Sequence, residues 1–373
     1  MNTEKAKKNE RLMSLDALRG FDMFWITGGH LVIAALAGLT GWGVFNWLES
    51  QMHHAEWHGF MFYDLIFPLF LFISGVTWPF SLRKRRSGGR TMGSIHGHMI
   101  QRMLLLVFFG MIYNGLLKFD FEHMRYASVL ARIGIAWFFA ALIVTHTKPV
   151  WWHAFFAGIL LSYWAMLALI PVPGHGAGDY SMEGSLVGHI DRLLLPGKLY
   201  KTVHDPEGIL STFPAIATAL MGSITGNFLM KSDMKIPRIR KFYFMFLAGA
   251  LVLLAGWAWG HVFPVNKNLW TSSFVLVAGG ISLLFLAIFY LVIDIWEYRG
   301  WAFFFSVIGM NAITIYMLQA GIINFWDTTE FFFAGLTGKI GGEWGAFLMA
   351  SGYVAVVWTF LYILYKKRIF LRV

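Results

Sequence analysis

The sequence predicts an all-α membrane protein: a polytopic helical bundle of about ten transmembrane helices, one domain over residues 1–373, with both termini cytoplasmic. Three observations predict it. Of the 373 residues, 57% are hydrophobic and only 13% are charged, about half the charge of a soluble domain, and the mean hydropathy is +0.60. Apolar runs of the roughly 20 residues that a spanning helix needs recur along the whole chain. Lys and Arg are shared unequally between alternate connections.

The runs fall at about 17–40, 59–82, 100–117, 128–146, 150–170, 209–230, 242–262, 271–293, 302–323 and 345–365. An even number puts both termini on one side. That side would carry the N-terminal Lys5, Lys7, Lys8 and Arg11, six cations between Arg83 and Arg102, Lys148, five between Lys231 and Lys241, Arg299, and the C-terminal Lys366, Lys367, Arg368 and Arg372. These make 21, against seven in the other loops (Lys118, Arg125, Arg192, Lys198, Lys201, Lys267 and Lys339), with Arg19 and Arg132 inside runs. The excess makes the 21-cation side cytoplasmic, so the net charge of +10 reports topology and implies no nucleic-acid partner. The chain has no cysteine, which rules out disulfides and thiolate metal sites. The polar start Met1–Arg11 leads into a run too long for a cleavable signal peptide. No repeat of fixed period is visible, which weakens an inverted-repeat transporter. The basic loops suit a topological role and little else.

Taken in order, the first run opens on Ser14-Leu-Asp-Ala-Leu-Arg-Gly20. Asp16 and Arg19 stand at i, i+3 and share a helix face. They form either a boundary ion pair or a site where Arg19 meets an anionic ligand such as a phosphate. The second run is preceded by His53, His54 and His58 and contains Asp64 and Pro68. His54-Ala-Glu56-Trp-His58 lacks the Glu directly after His of the zinc-protease helix, and no third ligand is placed, so no metal is expected. The histidines suit either a headgroup-level belt or a general base for an amine or hydroxyl. A carboxylate inside a spanning run is costly and marks a functional position. Asp64 either pins a neighbouring helix or orients a histidine and stabilises its imidazolium.

Further on, Arg132 lies inside the fourth run, placed to neutralise Asp64, to bind substrate or to snorkel. Asp205-Pro-Glu-Gly208 reads as a turn capping the sixth run. Pro264-Val-Asn266-Lys267-Asn268-Leu-Trp270 is an outer loop rich in hydrogen-bonding groups, and Asn311 and Tyr316 lie within a run, where the plain reading is interhelical glue. This much describes either an enzyme or a proton-coupled transporter or flippase of a sugar-linked substrate.

Seven segments decide further. Ser14–Gly20, His54-Ala-Glu-Trp57, Asp64-Leu-Ile-Phe-Pro68, Ile190-Asp-Arg-Leu-Leu-Leu195, Asp205-Pro-Glu-Gly-Ile-Leu210, Pro264–Trp270 and Gly309-Met-Asn311 stand in the order of the heparan-α-glucosaminide N-acetyltransferase family, which the chain resembles over nearly its whole length. The resemblance implies a membrane acyltransferase that moves acetyl from cytosolic acetyl-CoA to an amino-sugar acceptor on the far side. It puts the catalytic histidine at His54 and the family aspartate at Asp64, with a general-base or acetyl-histidine route. A family asparagine near the reaction centre aligns with His30, a departure that makes His30 a candidate second acid–base group. Asp16, Arg19, Arg132, Asn266, Lys267, Asn268, Trp270 and Asn311 are the implied substrate and CoA contacts. Leu31–Gln51 is longer than in the lysosomal enzyme, and that enzyme's luminal N-terminal portion has no counterpart. A bacterial-type enzyme of the inner membrane is implied, with membrane lipid around it and a second copy as an allowed partner.

Overall fold

The structure, a computed structural model, describes residues 12–371. The N-terminal cations Lys5, Lys7, Lys8 and Arg11, and Arg372, lie outside the described residues. Fifteen helices follow one another: α1 (Met13–Phe24), α2 (His30–Thr40), α3 (Gly43–Ser50), α4 (Ile66–Ser87), α5 (Met92–Tyr113), α6 (Val129–His146), α7 (Pro149–Leu169), α8 (Leu186–Leu194), α9 (Ile209–Leu229), α10 (Arg238–Gly260), α11 (Ser272–Phe289), α12 (Ala302–Met310), α13 (Ala312–Leu318), α14 (Phe325–Ile340) and α15 (Gly342–Lys366). Among the described residues, nine helical stretches are long and apolar enough to cross a membrane.

The first of these, Met13–Thr40, joins α1 to α2 through a widened turn at Trp25–Gly29. Gly28 allows it. Its φ of 130° lies where side-chain-bearing residues are strained, and an added Cβ would come within 2.9 Å of Tyr353. Such turns are frequent at functional sites because they re-aim the following residues.

α4 and α9 form the buried centre. They approach closely because small residues face each other: a Cβ on Gly75 would lie 2.0 Å from the Ala219 carbonyl oxygen, and one on Gly222 2.1 Å from that of Phe72. Small residues drive helix association where lipid offers no hydrophobic contrast. Ser223 adds a hydrogen bond to the Gly75 carbonyl at 3.1 Å. α10 is mostly exposed, with Leu247, Leu251 and Leu254 on its outer side, an apolar face suited to lipid.

Three expectations change. Residues 302–323 do not form one span. α12 stops at Asn311 (φ −118°, ψ 22°), whose N–H bonds the Ile308 carbonyl three residues back, and the short α13 starts anew. The tighter bond ends the α-helical ladder there. α14 then follows, a helix the sequence reading passed over because Asp327, Glu330 and Lys339 interrupt its apolar run. It is capped by Asn324, whose Oδ1 accepts from the Trp326 and Asp327 amides.

Arg102 does not lie in a loop. α5 begins at Met92, so Arg102 sits within it, donating to Ser74 Oγ at 2.9 Å and stacking over Trp137 at 4.1 Å. The basic loops also do more than set topology. Lys241 is buried, and its Nζ donates to the Leu229 and Lys231 carbonyls and to Asp233 at 2.8 Å, clasping the α9–α10 connection.

Candidate active site

The segment between α3 and α4 folds around Asp64. A 3-10 turn at Phe62–Leu65 buries the carboxylate, and three groups converge on it. Oδ2 accepts from the Met61 amide at 3.0 Å and the Ala55 amide at 3.3 Å, while Oδ1 lies 2.8 Å from His54 Nδ1. Gln51 fixes the same loop: its carbonyl accepts from the Tyr63 amide and its side-chain oxygen from the Phe62 amide. The two partners differ in exposure. The Asp64 side chain is 1% exposed and that of His54 is 49% exposed. A carboxylate bonded at Nδ1 fixes the ring's orientation and tautomer, which leaves the Nε2 lone pair as the ring's acceptor.

Lys267, on the α10–α11 connection, closes the group. Its Nζ lies 3.0 Å from each His54 ring nitrogen and 3.7 Å from Asp64 Oδ1. Burial holds this ammonium below its usual range, and Asp64 and Glu207 pull the other way.

The other two histidines have separate tasks. His58 Nδ1 lies 3.2 Å from Asn266 Nδ2, and burial lowers its pKa. His53 pairs with Glu49 at the surface, 2.7 Å away. Among the described residues no three His, Asp or Glu side chains gather as a metal site would require.

His54, Asp64 and Lys267 open on a cavity of about 470 Å³. Its rim carries Glu56, Arg125, Tyr200, Lys201, Glu207 and Asn268. Its walls are apolar, from Ile66, Phe67, Phe70, Val129 and Ile133, with Ile313 and Tyr316 contributed by α13. Tyr316 stacks on Tyr113 at 4.7 Å. The break at Asn311 is what lets α13 contribute to this wall.

Arg125 organises the rim. It grips Asp205 with two bonds of 2.7 and 2.6 Å, bonds Glu207, and lies 4.7 Å over Tyr200. Burial alone would raise the Asp205 carboxyl, but the Arg125 bonds overcome it and hold it below the usual carboxylate range. The sequence reading noted both Arg125 and the Asp205–Gly208 turn. It could not pair groups 80 residues apart.

Other anticipated site residues are placed elsewhere. Arg132 does not meet Asp64. It is fully buried, bonds Ser211 Oγ and the Gly208 carbonyl, and lies 4.9 Å over Trp270, so it ties α6 to the start of α9. Trp270 is buried beneath it and reaches Thr218. Asn266 is a loop clasp whose Oδ1 accepts from the Leu269 amide at 2.9 Å. His30 bonds the Trp25 carbonyl through Nδ1 at 2.8 Å and stands behind Tyr63, at 6.2 Å between ring centroids, off the cavity wall. Arg19 and Asp16 form an ion pair of 3.7 Å. Asn311 is buried, and neither its Nδ2 nor its Oδ1 has a hydrogen-bond partner. The reading missed Asp22, buried and lining the cavity; a second aspartate one turn after Arg19 was the available signal.

Two comparisons bear on this geometry. Residues 11–116 match a family profile described as a domain of unknown function, DUF5009. The chain is also 28% identical to the human protein named heparan-alpha-glucosaminide N-acetyltransferase, over 97% of this chain, and 27% identical to its mouse counterpart, over 86%. It spans 60% and 56% of the lengths of these relatives.

Proposed function

We propose that this homologue of the heparan-alpha-glucosaminide N-acetyltransferases, an integral membrane protein, is itself an acetyltransferase that uses acetyl-CoA and acts on an amino-sugar acceptor. The observation that carries the reading is the buried Asp64 carboxylate 2.8 Å from Nδ1 of a half-exposed His54, at the wall of a cavity large enough for a small ligand. With Nδ1–H directed at Asp64, His54 Nε2 takes the proton as the acceptor amine attacks the thioester carbonyl. A C–N bond forms, the C–S bond breaks, and the proton passes from the imidazolium to the departing thiolate. Asp64 stabilises the imidazolium in between. The competing route begins from the same tautomer: Nε2 attacks the thioester carbonyl, the C–S bond breaks to release CoA as its thiolate, and the amine then displaces Nε2 from the acetyl carbon and gives up its proton to the thiolate. Retention of labelled acetyl by the protein in the absence of acceptor separates the two.

Glu56, which lines the cavity, suits an acceptor that arrives as an ammonium and loses one proton to solvent before the amine attacks. The cation asymmetry of the connections supports a cytoplasmic donor side and an outer His54 side. The test uses sealed vesicles of known orientation. Labelled acetyl-CoA supplied to the face carrying the N-terminus should yield acetylated glucosamine in the opposite compartment. Transfer only with both substrates on one side would end the transmembrane mechanism and leave the acyltransferase; no transfer in any arrangement would end both.

A further inference from the structure

Among the described residues, Asp22 stands apart from the other carboxylates. It is 1% exposed, lines the cavity, and neither carboxyl oxygen has a hydrogen-bond partner. A buried polar group without a partner costs free energy, and one facing a cavity implies that a ligand supplies what the protein does not. The position says which ligand. Along α1, Asp22 follows Arg19 by one turn on the same face. The His54 group lies further on, at the level of His30, since Tyr63 is 6.2 Å from the His30 ring and 5.0 Å from that of His54. Eight residues separate Asp22 from His30, on the order of 12 Å of helix. The order cation, buried acceptor, reacting histidine therefore matches the order phosphates, amide arm, thioester of an acyl-CoA.

The surroundings favour a neutral donor over an ammonium. The charge that acts on Asp22 is Arg19, which would repel a second cation, and the adjacent wall of Met23, Ile26 and Phe70 is apolar. Resting on the donor assignment above, we propose that Asp22 is the subsite for the pantetheine arm, its oxygens accepting hydrogen bonds from the arm's amide N–H groups while the thioester reaches His54.

Calorimetry on the purified full chain in detergent tests this with three probes: CoA, pantetheine, and adenosine 3′,5′-bisphosphate, which lacks the arm. Asp22→Leu should weaken CoA and pantetheine at least about tenfold and leave the bisphosphate unchanged, whereas Asp22→Asn, which keeps an acceptor oxygen, should stay near wild type. The wild-type chain supplies a check independent of variant folding: pantetheine N-methylated at both amides should bind at least about tenfold more weakly than pantetheine. Equal binding of the methylated and unmethylated arms, or of CoA by wild type and Asp22→Leu, overturns the proposal alone. A wild-type chain that binds neither CoA nor pantetheine overturns the donor assignment, and this proposal with it.

Discussion

Two of the His–Asp pairs among the described residues, His54–Asp64 and His204–Asp191, are built for opposite ends. His54 and Asp64 are 2.8 Å apart, one half-exposed at a cavity wall and the other buried. His204 and Asp191 are 3.9 Å apart, both fully buried, with Trp57 edge-on to the imidazole at 5.4 Å. Burial pushes His204 down to about 4 and Asp191 up to about 6, so it disfavours the charged form of each, and above pH 6 only the imidazole is neutral. Asp191 Oδ1 also accepts from the Ile209 amide at 3.0 Å, fixing the start of α9. The same two residue types thus give an arrangement suited to proton transfer where a half-exposed ring meets a held carboxylate, and a packing pair where both are buried.

Four experiments break or sharpen this contrast. His54→Ala should lower acetyl transfer by about 10²–10⁴-fold, the usual contribution of a general base, with the protein still monodisperse on size exclusion. Near-wild-type transfer would remove His54 from the chemistry. Asp64→Asn keeps shape and deletes charge, so transfer should fall at least about tenfold; full activity would make Asp64 a packing pin like Asp191.

In the buried pair the readout is stability. His204 has a folded pKa of about 4, below its unfolded value near 6.5. The stability of keeping it neutral is complete above pH 6.5 and is lost as pH falls toward 4, to the extent of about 3 kcal/mol. Asp191, raised to about 6, opposes this, because its ionisation costs stability as pH rises from about 4 to 6. His204→Gln should therefore remove the acid-side loss, and its Tm should fall less than that of wild type between pH 7 and 5. Parallel melting curves for the two proteins would show that His204 is not held neutral.

The smallest effect is expected at His30. Its ring is committed to the Trp25 carbonyl and stands off the cavity, so His30→Ala should change transfer less than about tenfold. A loss as large as that of His54→Ala would restore it as a second acid–base group.

The candidate site was partly legible in the chain. His54 and Asp64 are ten residues apart, close enough in the chain for a short loop entering a helix to bring them together. Lys267 could be named from its polar loop, but not aimed, because its approach to His54 depends on packing between segments 213 residues apart. Arg132 shows the limit most directly. As a lone cation in an apolar run it suited Asp64, yet the packing of α6 on α9 gives it Ser211 and Trp270 as partners instead.

Hydropathy and spacing by themselves determined that the chain is a helical membrane bundle and roughly where nine of its helices run, because the bilayer imposes a length and a polarity that each segment must meet alone. Only the tertiary structure decided the break at Asn311, the Arg125–Asp205–Glu207 group, the neutral imidazole of His204 and the unpartnered oxygens of Asp22 at the cavity. Each of these depends on which buried polar group finds a partner, and that is a property of neighbours distant in sequence rather than of any one segment.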